Sequence, residues 1–130
     1  MSEFVTELNC QLKVRSDTVW VLHSPLIYNS DLIGQVIIPT EFETDLSSVP
    51  RIPVIYAIWG ARAHREGILH DYLFCEDSAP IVSWGVANSV FLEAQKSRGK
   101  SIYIRYPMYW GVCLGSYGFY HRRKVFDAVC

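Results

Sequence analysis

Phe42-Glu43-Thr44-Asp45-Leu46-Ser47-Ser48-Val49-Pro50 divides this chain in two. Upstream of it the residues alternate and favour strands; downstream they follow helical spacing. Cys10 to Arg15 alternates weakly, Ser16 and Asp17 supply turn chemistry, and Thr18 to Leu22 is rich in β-branched and aromatic residues. Asn29, Ser30 and Asp31 mark another turn, and Gly34 opens a run, Gln35 to Ile38, that stops at Pro39. These pieces predict a small N-terminal antiparallel sheet or meander. Between strand end and Pro50, Asp45 and the serines can satisfy loose backbone N–H groups. Alternatively, Asp45 points a carboxylate into a site at the strand-to-helix junction, where a rigid scaffold positions such groups.

Helical signals fill the second part. Pro53 suits a first helical position, Val54 to Trp59 follow, and Gly60 suits a cap. A second helix is predicted from about Ala63 to Phe74. A third runs from about Ile81 to Lys96, capped by Asp77 or Ser78 and stopped near Gly99. A last one follows Pro107, although Gly111 and Gly115 each weaken it by about 1 kcal/mol relative to Ala. The fold class is therefore α+β, a small N-terminal antiparallel sheet followed by three to four packed helices.

Composition sets the outer bounds. A chain of 130 residues supports a single domain, and a hydrophobic fraction of 50% provides its core. A net charge of −1 argues against a general electrostatic grip on nucleic acid or anionic membrane. Cys10, Cys75, Cys113 and Cys130 form no C-x-x-C pair, which removes support for a zinc ribbon or redox motif. They are expected to be reduced, with Cys75 and Cys113 buried. No basic n-region precedes an apolar run at the start, so no secretory signal is expected. The apolar stretch Ile102 to Tyr120 holds Arg105, Pro107 and three glycines and is expected not to span a membrane. His23 and His121 are expected at the surface or at an edge, and Arg122, Arg123 and Lys124 on a solvated or interface edge in the basic tail 120–130.

The segment Ala63-His64-Arg65-Glu66-Gly67-Ile68-Leu69-His70-Asp71-Tyr72-Leu73-Phe74 concentrates the reactive side chains. On a helix His64 and Asp71 share one face, with Gly67 between them, and Glu66 and His70 share a neighbouring stripe. Gly67 is costly in mid-helix, so close approach of a backbone or ligand is plausible there. His64, His70 and Asp71 are ligand types that suit a divalent metal such as zinc or manganese, with Asp45, His70 and Asp71 as the candidate catalytic groups. The spacing is not H-E-x-x-H, which needs both imidazoles four apart. The plainer reading is that His70 and Asp71 are buried and fix their helix against the Asp45 loop. Within the third helix, Trp84, Ala87, Phe91 and Ala94 form an apolar stripe that contains Asn88. An amide there needs partners or costs roughly 1–3 kcal/mol, and the nearest prospects are His70/Asp71 and the Asp45 loop. Thr44, Ser48 and Asn88 are thus expected to support one buried polar centre.

In order along the chain, these segments resemble a domain-of-unknown-function family, number 1353, of tailed phages and prophages. The shared residues are Ile38-Pro39; Phe42, Thr44, Asp45, Ser48, Pro50 and Arg51; His70-Asp71-Tyr72-Leu73; Ala87-Asn88 with Phe91; and Met108-Tyr109. The match covers roughly Trp20 to Gly115. Glu41 stands where the family usually has glycine, and Asn88 where it usually has aspartate. The resemblance implies a phage origin and brings no established activity. An H…H-D…D set is similar to metal-dependent phosphohydrolases, but Asn88 removes one hard anionic ligand. Three functions follow as expectations. The first is a virion-associated structural or assembly component, in the virion or host cytoplasm, binding other phage proteins or further copies of itself through aromatic surface. The second is a metal-dependent hydrolase in which Asp45, His64, His70 and Asp71 hold the metal and a bound water attacks. The third is a host-directed inhibitor that acts by binding alone.

Overall fold

The computed structural model describes residues 2–14, 19–44, 64–99, 102–115, 120–121 and 123–126. Six described strands come first: β1 (Glu3–Phe4), β2 (Cys10–Leu12), β3 (Trp20–Leu22), β4 (Leu26–Ser30), β5 (Gly34–Ile38) and β6 (Glu43–Thr44). Three described helices follow: α1 (His64–Leu73), α2 (Trp84–Ser97) and α3 (Ile102–Gly115). The class is α+β. The helix expected at Val54–Trp59 lies outside the described residues.

The single expected sheet is two three-stranded antiparallel sheets, ordered β1-β4-β5 and β2-β3-β6. They share one register. Phe4 faces Tyr28 and Cys10 faces Leu22, while Ile27 faces Ile37 and Trp20 faces Thr44. Partner numbers therefore sum to 32 across the first and second strand paths, and to 64 across the second and third. One three-stranded meander runs through both sheets and is interrupted halfway. Pro25 explains the break, because it has no N–H to donate in the middle path. The Thr6 hydroxyl bridges the gap: it donates to the Pro25 carbonyl at 3.1 Å and accepts from the Ile27 N–H at 2.9 Å. Pro39 marks the matching break in the third path.

Two strand boundaries differ from the sequence reading. Asn29 and Ser30 end β4 instead of forming the turn, which occupies Asp31–Ile33. The Ser30 hydroxyl accepts from the N–H groups of Leu32 and Ile33 and so closes that turn from inside the strand. Glu43 and Thr44, read as part of the loop, pair with β3 as β6.

Sheet β1-β4-β5 turns Phe4, Leu26, Tyr28, Val36 and Ile38 inward, and this face packs on α2. The Tyr28 hydroxyl donates to Glu93 of α2 at 2.6 Å, and burial and that carboxylate together push its pKa up. On its other sides α2 packs against α1 and α3. It begins at Trp84, not Ile81, because Ser83 is the cap: its hydroxyl accepts the Val86 N–H at 3.2 Å. Asp77 and Ser78 serve elsewhere, on the Val125 N–H and the Pro80 carbonyl.

Helix α3 starts five residues before Pro107 and carries that proline inside it. Proline costs one intrahelical bond there. Buried Met108 and Val112, one turn apart, fix the helix on its neighbour and outweigh that loss. Cys75 is fully buried, but Cys113 is only half-buried, one position along from Val112 and rotated away from the core. His23 is exposed. No described helix is long and apolar enough to cross a membrane.

Between β5 and β6 the chain makes a turn in which the Phe42 N–H reaches the Pro39 carbonyl at 3.3 Å. Glu41, third in this turn, has φ 73°, and its side chain is exposed. That left-handed position costs an L-residue roughly 1–2 kcal/mol, which glycine avoids at an entropic cost of about 0.5–1 kcal/mol. Glu41→Gly is therefore expected to raise the thermal midpoint by about 2–4 °C and Glu41→Val to lower it. A glycine variant that melts lower than the parent in a calorimetric scan would contradict the turn assignment.

Candidate functional site

Helix α1 gives its inner stripe two titratable residues. Glu66 and His70 lie one turn apart and both are fully buried. Facing them, α2 contributes Asn88, Phe91 and Gln95, also fully buried. The seam is thus polar where two helices meet, and each polar group needs a partner. His70 Nε2–H donates to the Asn88 amide oxygen at 2.7 Å. Phe74 and Phe91 enclose the imidazole, with ring centroids 4.0 and 5.3 Å away. Burial drives the His70 pKa down to about 4, against a smaller upward pull from the Asn88 bond. His70 is a neutral imidazole at pH 7.

Asp71, one residue further on, is rotated by about 100° and stands half-buried on another face of α1. There its carboxylate accepts the Thr44 hydroxyl from β6. One bond thus ties α1 to the sheet while its neighbour ties α1 to α2. The Glu66 carboxylate meets the Arg98 guanidinium at 3.5 Å, just past the end of α2. Asn88 Nδ2 and both polar atoms of Gln95 are buried without a hydrogen-bond partner among the described residues.

The expected site residues therefore divide. His70 meets Asn88, and Asp71 meets Thr44. Asp45 and Ser48 lie outside the described residues, and so does the side chain of His64, whose backbone opens α1. Among the described residues, no group of three or more His, Cys, Asp or Glu side chains could hold a metal ion. His70 is wholly buried and Asp71 half-buried, so of these two groups only Asp71 keeps exposed surface in this structure.

Three contributors escaped the sequence reading. Gln95 lies two turns beyond Asn88 on the same stripe, a spacing that was available but not followed. Glu66 was placed beside His70 without being read as buried. Arg123 was expected on a solvated or interface edge, and it is half-buried within the fold. Its guanidinium donates to the Glu43 carbonyl at 2.7 Å and lies 5.0 Å over the Phe42 ring. Its own carbonyl accepts the Glu76 N–H. The tail is thereby strapped to β6 and to the end of α1. Lys124 stays exposed, 3.9 Å from Glu76. His121 is half-buried, stacked on Tyr120, and held by its N–H to the Phe74 carbonyl at 2.7 Å.

Residues 20–112 match the family described as "Protein of unknown function (DUF1353)", and the chain belongs to that family. No curated protein and no solved structure matches it.

The His70 burial has a pH signature. An unfolded histidine titrates near 6.5 and the folded one near 4, so the unfolded chain binds the extra proton first. Stability from this group is complete above pH 6.5 and drains away as pH falls towards 4, by about 3 kcal/mol in all. His70→Gln keeps an amide bond to Asn88 but removes the titration. Urea titrations from pH 7 to 4 should show a shallower loss for the variant; equal slopes would place the imidazole in water.

Proposed function

Starting from that membership, we propose that this chain is a bacteriophage protein that acts as a virion-associated structural or assembly component, through protein–protein contacts. One observation carries the reading: the outer face of α3. Tyr106, Trp110 and Leu114 recur every four residues and are 45%, 64% and 86% exposed. Met108 and Val112 are buried. In helical projection the two sets are about 180° apart, so a full apolar stripe is turned to solvent behind the one that packs. Large aromatic residues on an exposed stripe are what protein interfaces use as anchors. The polar seam supports the same reading from the other side, since its histidine is shut in and paired. The phage origin rests on the resemblance of the T-D-x-x-S-x-P, H-D and A-N-x-x-F segments.

Mass spectrometry of purified particles from a host carrying the gene should detect the chain at structural copy number. Trp110→Ser, which leaves the packed face of α3 intact, should reduce its incorporation several-fold. Particles lacking the chain would eliminate this function.

A further inference from the structure

Charge is distributed unevenly along this nearly neutral chain. Residues 1–93 hold twelve of the thirteen acidic residues and five of the twelve basic ones, a net of −7. Residues 94–126 hold seven Lys and Arg and no Asp or Glu, a net of +7. The apolar stripe of α3 falls inside the positive part. Lys96 is exposed at the end of α2 just before it, and Arg105 lies on α3 itself.

A second apolar patch lies on the negative part. The outward face of sheet β1-β4-β5 carries Val5, Ile27 and Ile37 side by side, because Ile27 pairs with Ile37 and accepts the Val5 N–H at its carbonyl. Val5 and Ile37 are exposed and Ile27 is half-buried. The adjoining row on that face is Glu3, Asn29 and Gln35. Asp31 is exposed at its margin with Leu32 exposed beside it, and Glu7, also exposed, is paired with Arg65 of α1 at 3.1 Å. Both patches are of similar reach: about 12 Å along α3 from 106 to 114, and about 10 Å across three strands. The sheet packs on α2 and α2 packs on α3, while the two patches are the faces turned away from α2. They are different faces of the molecule.

We propose that the outer face of α3 docks on the outward face of sheet β1-β4-β5 of a second copy of this chain, head to tail. The proposal rests on the protein-contact reading above and names the partner. An acid-rimmed apolar sheet and a base-flanked aromatic helix are complementary, whereas either face against its own copy sets like charges together. Because the two faces are distinct patches of one chain, each added copy presents a fresh docking face, and the product is a ring or an open stack rather than a closed two-fold dimer. Patches this small give a weak contact that assembly at high local concentration reinforces.

Analytical ultracentrifugation of the whole chain tests this with two exposed-site variants, Trp110→Ser and Ile37→Lys, each checked for folding by circular dichroism. The parent should associate beyond a dimer as concentration rises, and about 0.5 M salt should weaken that association at least tenfold, since screening then acts within a few ångströms. Each variant alone should be monomeric. Their equimolar mixture should form a one-to-one dimer and stop, because each retains the face the other lacks. A parent that stays monomeric, a mixture that stays monomeric, or a parent dimer that Ile37→Lys leaves intact would each overturn the proposal. A monomeric parent that still enters particles in a Trp110-dependent way would leave the assembly function standing with another partner.

Discussion

The hydrogen bond between His70 and Asn88 sets the terms for the helical part. An imidazole with no exposed surface must remain neutral, and a neutral imidazole is best held by a neutral amide. Asparagine at 88 satisfies that condition. A carboxylate there would favour a charged imidazole and bury an ion pair, which carries a desolvation cost an amide avoids. The bond also fixes the axial position of α1 along α2. Two turns away on α2, Gln95 sits beside the Glu66–Arg98 end of the same seam, so the helix pair is polar along its length and apolar around it.

From this seam the connections run outward. Asp71 carries α1 to Thr44 and hence to the sheet, and Arg123 fastens the tail to the strand that holds Thr44. Tyr28 and Glu93 join α2 to the other sheet. Helix α2 is thus the common support, in contact with α1, α3 and the sheet. Its remaining neighbour, α3, needs only one of its faces for that support, which leaves Tyr106, Trp110 and Leu114 for an external role.

Where a residue's local chemistry and its tertiary role coincide, the sequence reading was accurate. The α1 pattern, the Gln35–Ile38 strand and an Asn88 that needs a partner all followed from spacing and burial. It went astray where one residue type serves two purposes. Asn29 and Ser30 look like a turn, but Ser30 completes the turn from the end of a strand. Pro107 looks like a helix start, but packing at Met108 and Val112 carries the helix through it. Arg123 looks like a solvated charge in a basic run, and nothing local reveals that its guanidinium lies over Phe42. At position 41 the family resemblance led to an expectation of glycine. The left-handed backbone of Glu41 supplies its physical meaning.

The uninterrupted register of the meander limits how this chain can change length. Side chains on a strand alternate sides, so deleting one residue at the Pro25 gap would spare one half and invert the other. Leu26 and Tyr28 would then point to water, and Ile27 into the helices. Indels near positions 6–9, 23–25 and 39–42 can survive only in twos, or when a neighbouring path shifts in step. Homologous chains should therefore vary in length at the hairpin ends and hold a fixed count across the waist.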